Sequence, residues 1–218
     1  MKKNEIDWIN MAKAISIFLV YLFHTEFYMQ LDFPNIKCFY TPFFTHVFFF
    51  ISGYLIFRRQ LSTKIISLKL YNWFFMCEKG NGKNILLDIV FKIAIPTVLF
   101  TSLLFFPKTI IRGQGFEFSM FLHDTILGGS IWFTSALAVS ELLLFFMLLP
   151  RYRSYWWYGI FSVILALIGV YFAKNANGLY GISDVPWFWK GGFIATLFLV
   201  FGGIYQKYED RVDAFFKK

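Results

Sequence analysis

Three ionisable side chains fall inside apolar stretches of the chain at one common depth: His24, His46 and Glu141. Lys13 and His24 are eleven residues apart, three helical turns, so both side chains share one helix face and stand about 16 Å apart along the axis. His46 precedes Arg58 by twelve residues, about 18 Å of helix, and Glu141 precedes Arg151 by ten, about 15 Å. Imidazole is the side chain that gains and loses a proton near neutral pH, and a carboxylate beside it can fix its tautomer and stabilise its charged form. Such groups cost several kcal/mol each when they face lipid, so they normally face a bundle interior or a wet cavity and find one another. The expectation is a shared polar chamber near mid-membrane, able to move protons or to fix a helix interface.

The elements that must hold this chamber follow from composition. Of 218 residues, 58% are hydrophobic, 23% aromatic and only 16% charged, too apolar to furnish a soluble surface. Six stretches approach or exceed the length that crosses about 30 Å of hydrocarbon, near 12–31, 39–57, 88–107, 130–149, 155–173 and 189–206. The fold class expected is all-α, a polytopic transmembrane helix bundle of about six spans forming one domain over 1–218. Lys and Arg cluster before the first span, in 58–92, at Arg151 and Arg153, and in 207–218, which puts both termini on the cytoplasmic side of a plasma (inner) membrane. Fewer cations, among them Lys37, Lys108, Arg112, Lys174 and Lys190, lie on the opposite side. The net charge of +8 is met by anionic lipid and a phosphate-bearing ligand, and no nucleic-acid motif is present.

Smaller signals have plainer readings. Cys38 and Cys77 fall in loops expected on opposite sides, which argues against a disulfide between them. No small-residue cleavage site follows the first apolar run, so that segment is read as retained. The stretch 58–87 mixes cations with Trp73, Phe74 and Phe75, the pattern of an interfacial helix followed by the turn "KGNGKN", which lacks the context of a phosphate loop. Gly191, Gly192, Gly202 and Gly203 read as small-residue contacts between helices. Glu26 stands about 200° around the helix from His24 and is placed at the outer mouth. Bland alternatives stand beside the functional ones: packing for His46, a hydrogen bond to Ser135, Ser140 or a tryptophan for Glu141, and a topology anchor for Arg58 and Arg59.

The stretch "IDWINMAKAISIFLVYLFHT" resembles the opening of membrane-bound acyltransferase family 3, in which a basic residue, ten residues and a histidine mark the first span; Lys13 and His24 fit that spacing. "FFFISGYLIFRR", with Ser52, Gly53, Arg58 and Arg59, is similar to the family's second span, and "FKIAIP" to the start of its third, with Lys92 where arginine is usual. "GSIWFTSALAVSELLLF" resembles an aromatic-rich family segment, with Ser130 and Ile131 replacing its first two residues. The family's members usually have more spans, so the chain resembles a short form, and a second copy of itself or a partner chain is the expected source of the others.

This resemblance implies an O-acetyltransferase that takes an acetyl group from cytoplasmic acetyl-CoA to a hydroxyl of a sugar or lipid-linked glycan, as in modification of surface polysaccharides. It implies His24 as general base with Glu141 as its carboxylate partner, because a hydroxyl is a weak nucleophile at neutral pH. Lys13, Arg58, Arg59 and Lys92 would hold the phosphates of the donor. Glu26, His46, Ser52 and Trp132 would meet the acceptor, and no metal is called for. A different class, a non-catalytic membrane subunit or small-solute transporter with a His/Glu relay, remains open on the residues alone.

Overall fold

The computed structural model describes residues 7–29, 44–61, 85–113, 115–128, 131–148, 155–175 and 186–216. Cys38, Cys77, the interfacial helix expected after Leu61 and the "KGNGKN" turn lie outside them. The described chain is all-helical: α1 (Asp7–Met29), α2 (His46–Leu61), α3 running from Ile85 to Ile111, the short α4 (Phe118–Thr125), α5 (Trp132–Leu148), α6 (Tyr155–Asn175) and α7 (Trp189–Phe216). The six long helices coincide with the six predicted apolar stretches. Asp7–Glu26, Leu86–Ile111 and Tyr155–Lys174 are long and apolar enough to cross a membrane on their own measure, while His46–Arg58 and Trp132–Leu148 are shorter apolar helices.

The axis of the bundle is α7, which packs against α2, α5 and α6. Its glycines explain how three helices can crowd onto one. A Cβ on Gly53 would fall 1.9 Å from the Leu199 carbonyl oxygen, and a Cβ on Gly202 would fall 1.9 Å from that of Phe50, so α2 and α7 cross backbone against backbone. Gly192 admits the Val139 side chain of α5, Gly203 admits the Phe57 ring of α2, and Gly169 of α6 lies against the start of α7. Of the four glycines read from the sequence as helix contacts, Gly192, Gly202 and Gly203 are close ones, while Gly191 lies beneath the ring of Phe188 in the turn just before it and meets α5 only at the Ala136 Cβ, at 3.7 Å. Around them Phe49, Phe57, Leu144, Met147, Leu199 and Val200 form the main buried cluster.

Ring contacts give the directions. Trp8 at the start of α1 meets Tyr54 near the end of α2, and Phe23 near the end of α1 stacks on Phe44 before α2 begins, so these two helices are antiparallel. The pairing of Phe48 and Phe49 with Phe133 runs α2 alongside α5 in one direction, and Phe172 against Trp189 sets α6 antiparallel to α7. This alternation is the one that the charge pattern requires of consecutive spans. The start of α7 is held by a left-handed turn at Trp187, φ 60°, whose N–H donates 2.7 Å to the Leu127 carbonyl oxygen. α1 is the loosest member: Ile9 and Ser16 are buried against the body while Phe18 and Tyr21 are 61% and 71% exposed, as lipid-facing residues would be.

Replacing Gly53 or Gly202 with Ala should force α2 from α7 and lower stability by about 1–3 kcal/mol or more. Gly159→Ala meets nothing within 4 Å and should be neutral or slightly stabilising. Thermal unfolding of the three variants in detergent separates them; equal melting temperatures would mean that the close crossing is not a determinant of stability.

Candidate functional site

One polar pair crosses the bundle at depth. Ser52 of α2 donates its hydroxyl to the Glu141 carboxylate of α5 in a short hydrogen bond. Ser52 is the residue before Gly53, so seating Gly53 on α7 turns its neighbour toward α5. The sequence suggested Ser135 or Ser140 as partners for Glu141; instead Ser135 bonds to the Gly128 and Ile131 carbonyl oxygens and Ser140 to that of Leu137. Both hydroxyls are spent on backbone, the usual fate of serine within a helix.

A second charged pair lies within electrostatic reach of Glu141. Asp88 and Lys92 of α3 form an i,i+4 ion pair at 2.9 Å, and both act on the Glu141 carboxylate. Their helix contains a π-turn, Val90–Ala94, in which the Ile95 N–H reaches back to the Val90 carbonyl oxygen. Pro96 accounts for it: proline cannot donate to the turn before it, and the wider turn relieves the clash. The π-turn packs on α5, bringing Lys92 to the outer edge of the Ser52–Glu141 pair.

His24 and Lys13 are set by the rotation of α1. Trp8 lies on the flank facing α7, with ring centroids 5.8 Å from Tyr205. At about 100° per residue, Lys13 and His24 fall on the opposite flank, together, as the eleven-residue spacing predicts. His24 is exposed, beside Phe23 at 5.6 Å between ring centroids, while Glu26, on the other flank, is buried. His46 is half-buried with its ring 4.3 Å from that of Phe198 on α7, and Trp132 packs at the head of α5 against Phe133 and Phe188. His46 thus meets α7, and Trp132 the turn just before it. Arg58 is exposed near the end of α2 where α1 begins; the side chain of Arg59 lies outside the described residues.

One residue of consequence was not singled out from the sequence. Glu209 of α7 accepts hydrogen bonds from Tyr54 at 2.6 Å and from the Trp8 indole at 3.4 Å, joining three helices. It follows the last apolar span and reads as one more charge in a mixed tail, so only proximity to Trp8 distinguishes it. Among the described residues no cluster of His, Cys, Asp and Glu could hold a metal ion.

A family model described as an acyltransferase domain matches residues 6–218, nearly the whole chain. No curated protein and no solved structure matches it.

Ser52→Ala would remove the hydroxyl that donates to the Glu141 carboxylate inside the bundle and should cost about 1–3 kcal/mol, whereas Ser52→Thr keeps the hydroxyl and should cost less. Denaturation in detergent measures both; an unaffected Ser52→Ala variant would show that the pair carries no stability.

Proposed function

The chain belongs to acyltransferase family 3, and we propose that it is a membrane O-acetyltransferase that moves an acetyl group from cytoplasmic acetyl-CoA to a hydroxyl of a sugar or lipid-linked glycan. The observation that carries this reading is the family match over residues 6–218, with which the placement of Lys13 and His24 on one flank of α1 agrees. An imidazole exposed on that flank supplies a base, and the cations Lys13 and Arg58 supply an anion-binding side.

In the reaction proposed, His24 takes the proton of the acceptor hydroxyl as its oxygen attacks the thioester carbonyl carbon. The tetrahedral intermediate collapses with cleavage of the carbon–sulfur bond, and the imidazolium returns its proton to the departing thiolate, giving the acetyl ester and free coenzyme A. Phe23, next to His24, stacks on Phe44, eight residues and about 12 Å of helix before Ser52, so the Ser52–Glu141 pair stands at another level of the bundle and the imidazolium forms without Glu141 beside it. Arg58 and Arg59, with Lys13 and Lys92, hold the phosphates at the cytoplasmic surface, where guanidinium forks suit phosphate oxygens. Seating the base within the bilayer keeps water from competing for the thioester. Ends of the bundle follow: the side where α1 begins and α7 finishes is cytoplasmic, matching the cations there.

His24→Ala should lower acetyl transfer per folded molecule by at least about a hundredfold with coenzyme A binding retained. Normal specific activity in a destabilised protein would assign His24 to packing and favour a non-catalytic membrane subunit. The Arg58→Gln, Arg59→Gln double variant should insert normally but bind coenzyme A more weakly, by roughly 1.5–3 kcal/mol for each lost charge-assisted bond. Unchanged affinity would leave both arginines as topology signals.

A further inference from the structure

The end of the bundle opposite the start of α1 carries a group of side chains that the proposed chemistry leaves unused. Phe116, before α4, and Phe121, within it, both meet the Phe105 and Phe106 rings of α3 at 5.2–6.1 Å between centroids, and Asp124 stands 3.6 Å from Lys108. α4 therefore crosses α3 rather than extending it. Beyond α4 the Leu127 carbonyl oxygen takes the Trp187 N–H at 2.7 Å, so the short helix is held at both α3 and the start of α7.

Depth along α3 can be counted from Lys92. Lys108 follows by sixteen residues, about 24 Å of helix, and Arg112 by twenty, about 30 Å, which is the thickness of the hydrocarbon. A span with Lys92 in one headgroup layer delivers Lys108 and Arg112 to the other. The Arg112 N–H still bonds the Lys108 carbonyl oxygen, at 3.1 Å, so these two cations stand one turn apart on one side of the helix. They lie on the side expected to be poorer in Lys and Arg, so the charge bias that orients spans does not account for them.

The anions nearby leave room for another. Asp124 is shared between Lys108 and the His123 Nδ1, the latter at 3.2 Å, while Arg112 and Glu117 are exposed and enter no ion pair among the described residues. Leu104, one turn before Lys108, and Ile111, one turn after it, are exposed on the adjoining stripe of α3. Phe116 and Phe118, 59% and 63% exposed, seat α4 in the same layer. An apolar stripe that ends at two cations in a headgroup layer matches an acyl chain that ends at a phosphate, and a water-borne partner would leave the stripe uncovered. We infer that the end of α3 with α4 is a seat for an anionic phospholipid of that leaflet, its phosphate between Arg112 and Lys108 and an acyl chain along Leu104.

The test titrates the full chain, purified in detergent, with phosphatidylglycerol, whose phosphate has no ammonium of its own to pair with. Bound lipid is counted by native mass spectrometry, and melting temperature is followed alongside. Arg112→Gln removes a cation that no carboxylate holds, so it should raise the dissociation constant for phosphatidylglycerol about tenfold with an unchanged melting temperature in lipid-free detergent. Arg112→Lys keeps the charge and should recover most of that affinity. Lys174→Gln, which removes an exposed cation from the end of α6, should bind as the wild type does. Wild-type affinity in Arg112→Gln would overturn the proposal, and so would an equal loss in Lys174→Gln, which would reduce binding to general surface charge. Glycerophosphoglycerol, the same headgroup without acyl chains, should not compete at equal concentration; if it does, the corner takes soluble phosphate and the lipid assignment falls.

Discussion

The crossing of α2 and α7 at Gly53 and Gly202 is the contact on which the remaining structure depends. In a bilayer the apolar surface of a helix gains little by leaving lipid, so association must come from close packing and from polar groups that find each other. Two glycines facing two backbone carbonyls bring the helix axes as near as they can come. The approach also fixes the rotation of α2. Once Gly53 faces α7, Ser52 must face α5, and Ile51 and Tyr54 must face α1. One packing contact thus assigns each face of the second helix to a different neighbour.

Polar groups inside this bundle obey a simple division. The hydroxyls of Thr101, Thr109, Ser140, Ser162 and Thr196 each return to a carbonyl oxygen of their own helix, which satisfies them without tying helices together. Ser52 with Glu141, and Tyr54 and Trp8 with Glu209, instead cross between helices. A carboxylate is the acceptor in each case. Charged acceptors make stronger bonds than carbonyls and are costlier to leave unmatched in a low-dielectric setting, so these are the sites where the sequence accepts a burial penalty. Both lie beside residues assigned roles in acyl transfer.

The two interhelical sites lie two residues apart on α2, about 3 Å along its axis, and differ in the neighbours they face: Ser52 turns to α5, Tyr54 to α1 and α7. The buried stripe of α1, Ile9 through Ser16 to Glu26, leaves Lys13 and His24 on a flank of the helix rather than in a closed interior. The π-turn of α3 packs on α5 and carries the Asp88–Lys92 pair into electrostatic reach of Glu141.

Much of this was legible in the residues. Hydropathy and length located all six long helices, because a backbone in lipid must satisfy its hydrogen bonds within a helix and so demands long apolar runs. The glycines of α7 marked its contacts, and the eleven-residue interval between Lys13 and His24 fixed their shared flank, since both follow from the local period of one helix. Which helix each contact would meet was beyond such local arithmetic. The donor to Glu141 turned out to be Ser52, eighty-nine positions away, rather than a nearby serine of α5, and Glu209 met Trp8 across 201 positions. Depth along a span can be counted from the chain, but the azimuth of one helix against another is decided only when side chains of several helices pack together, and at these sites that packing chose the partners.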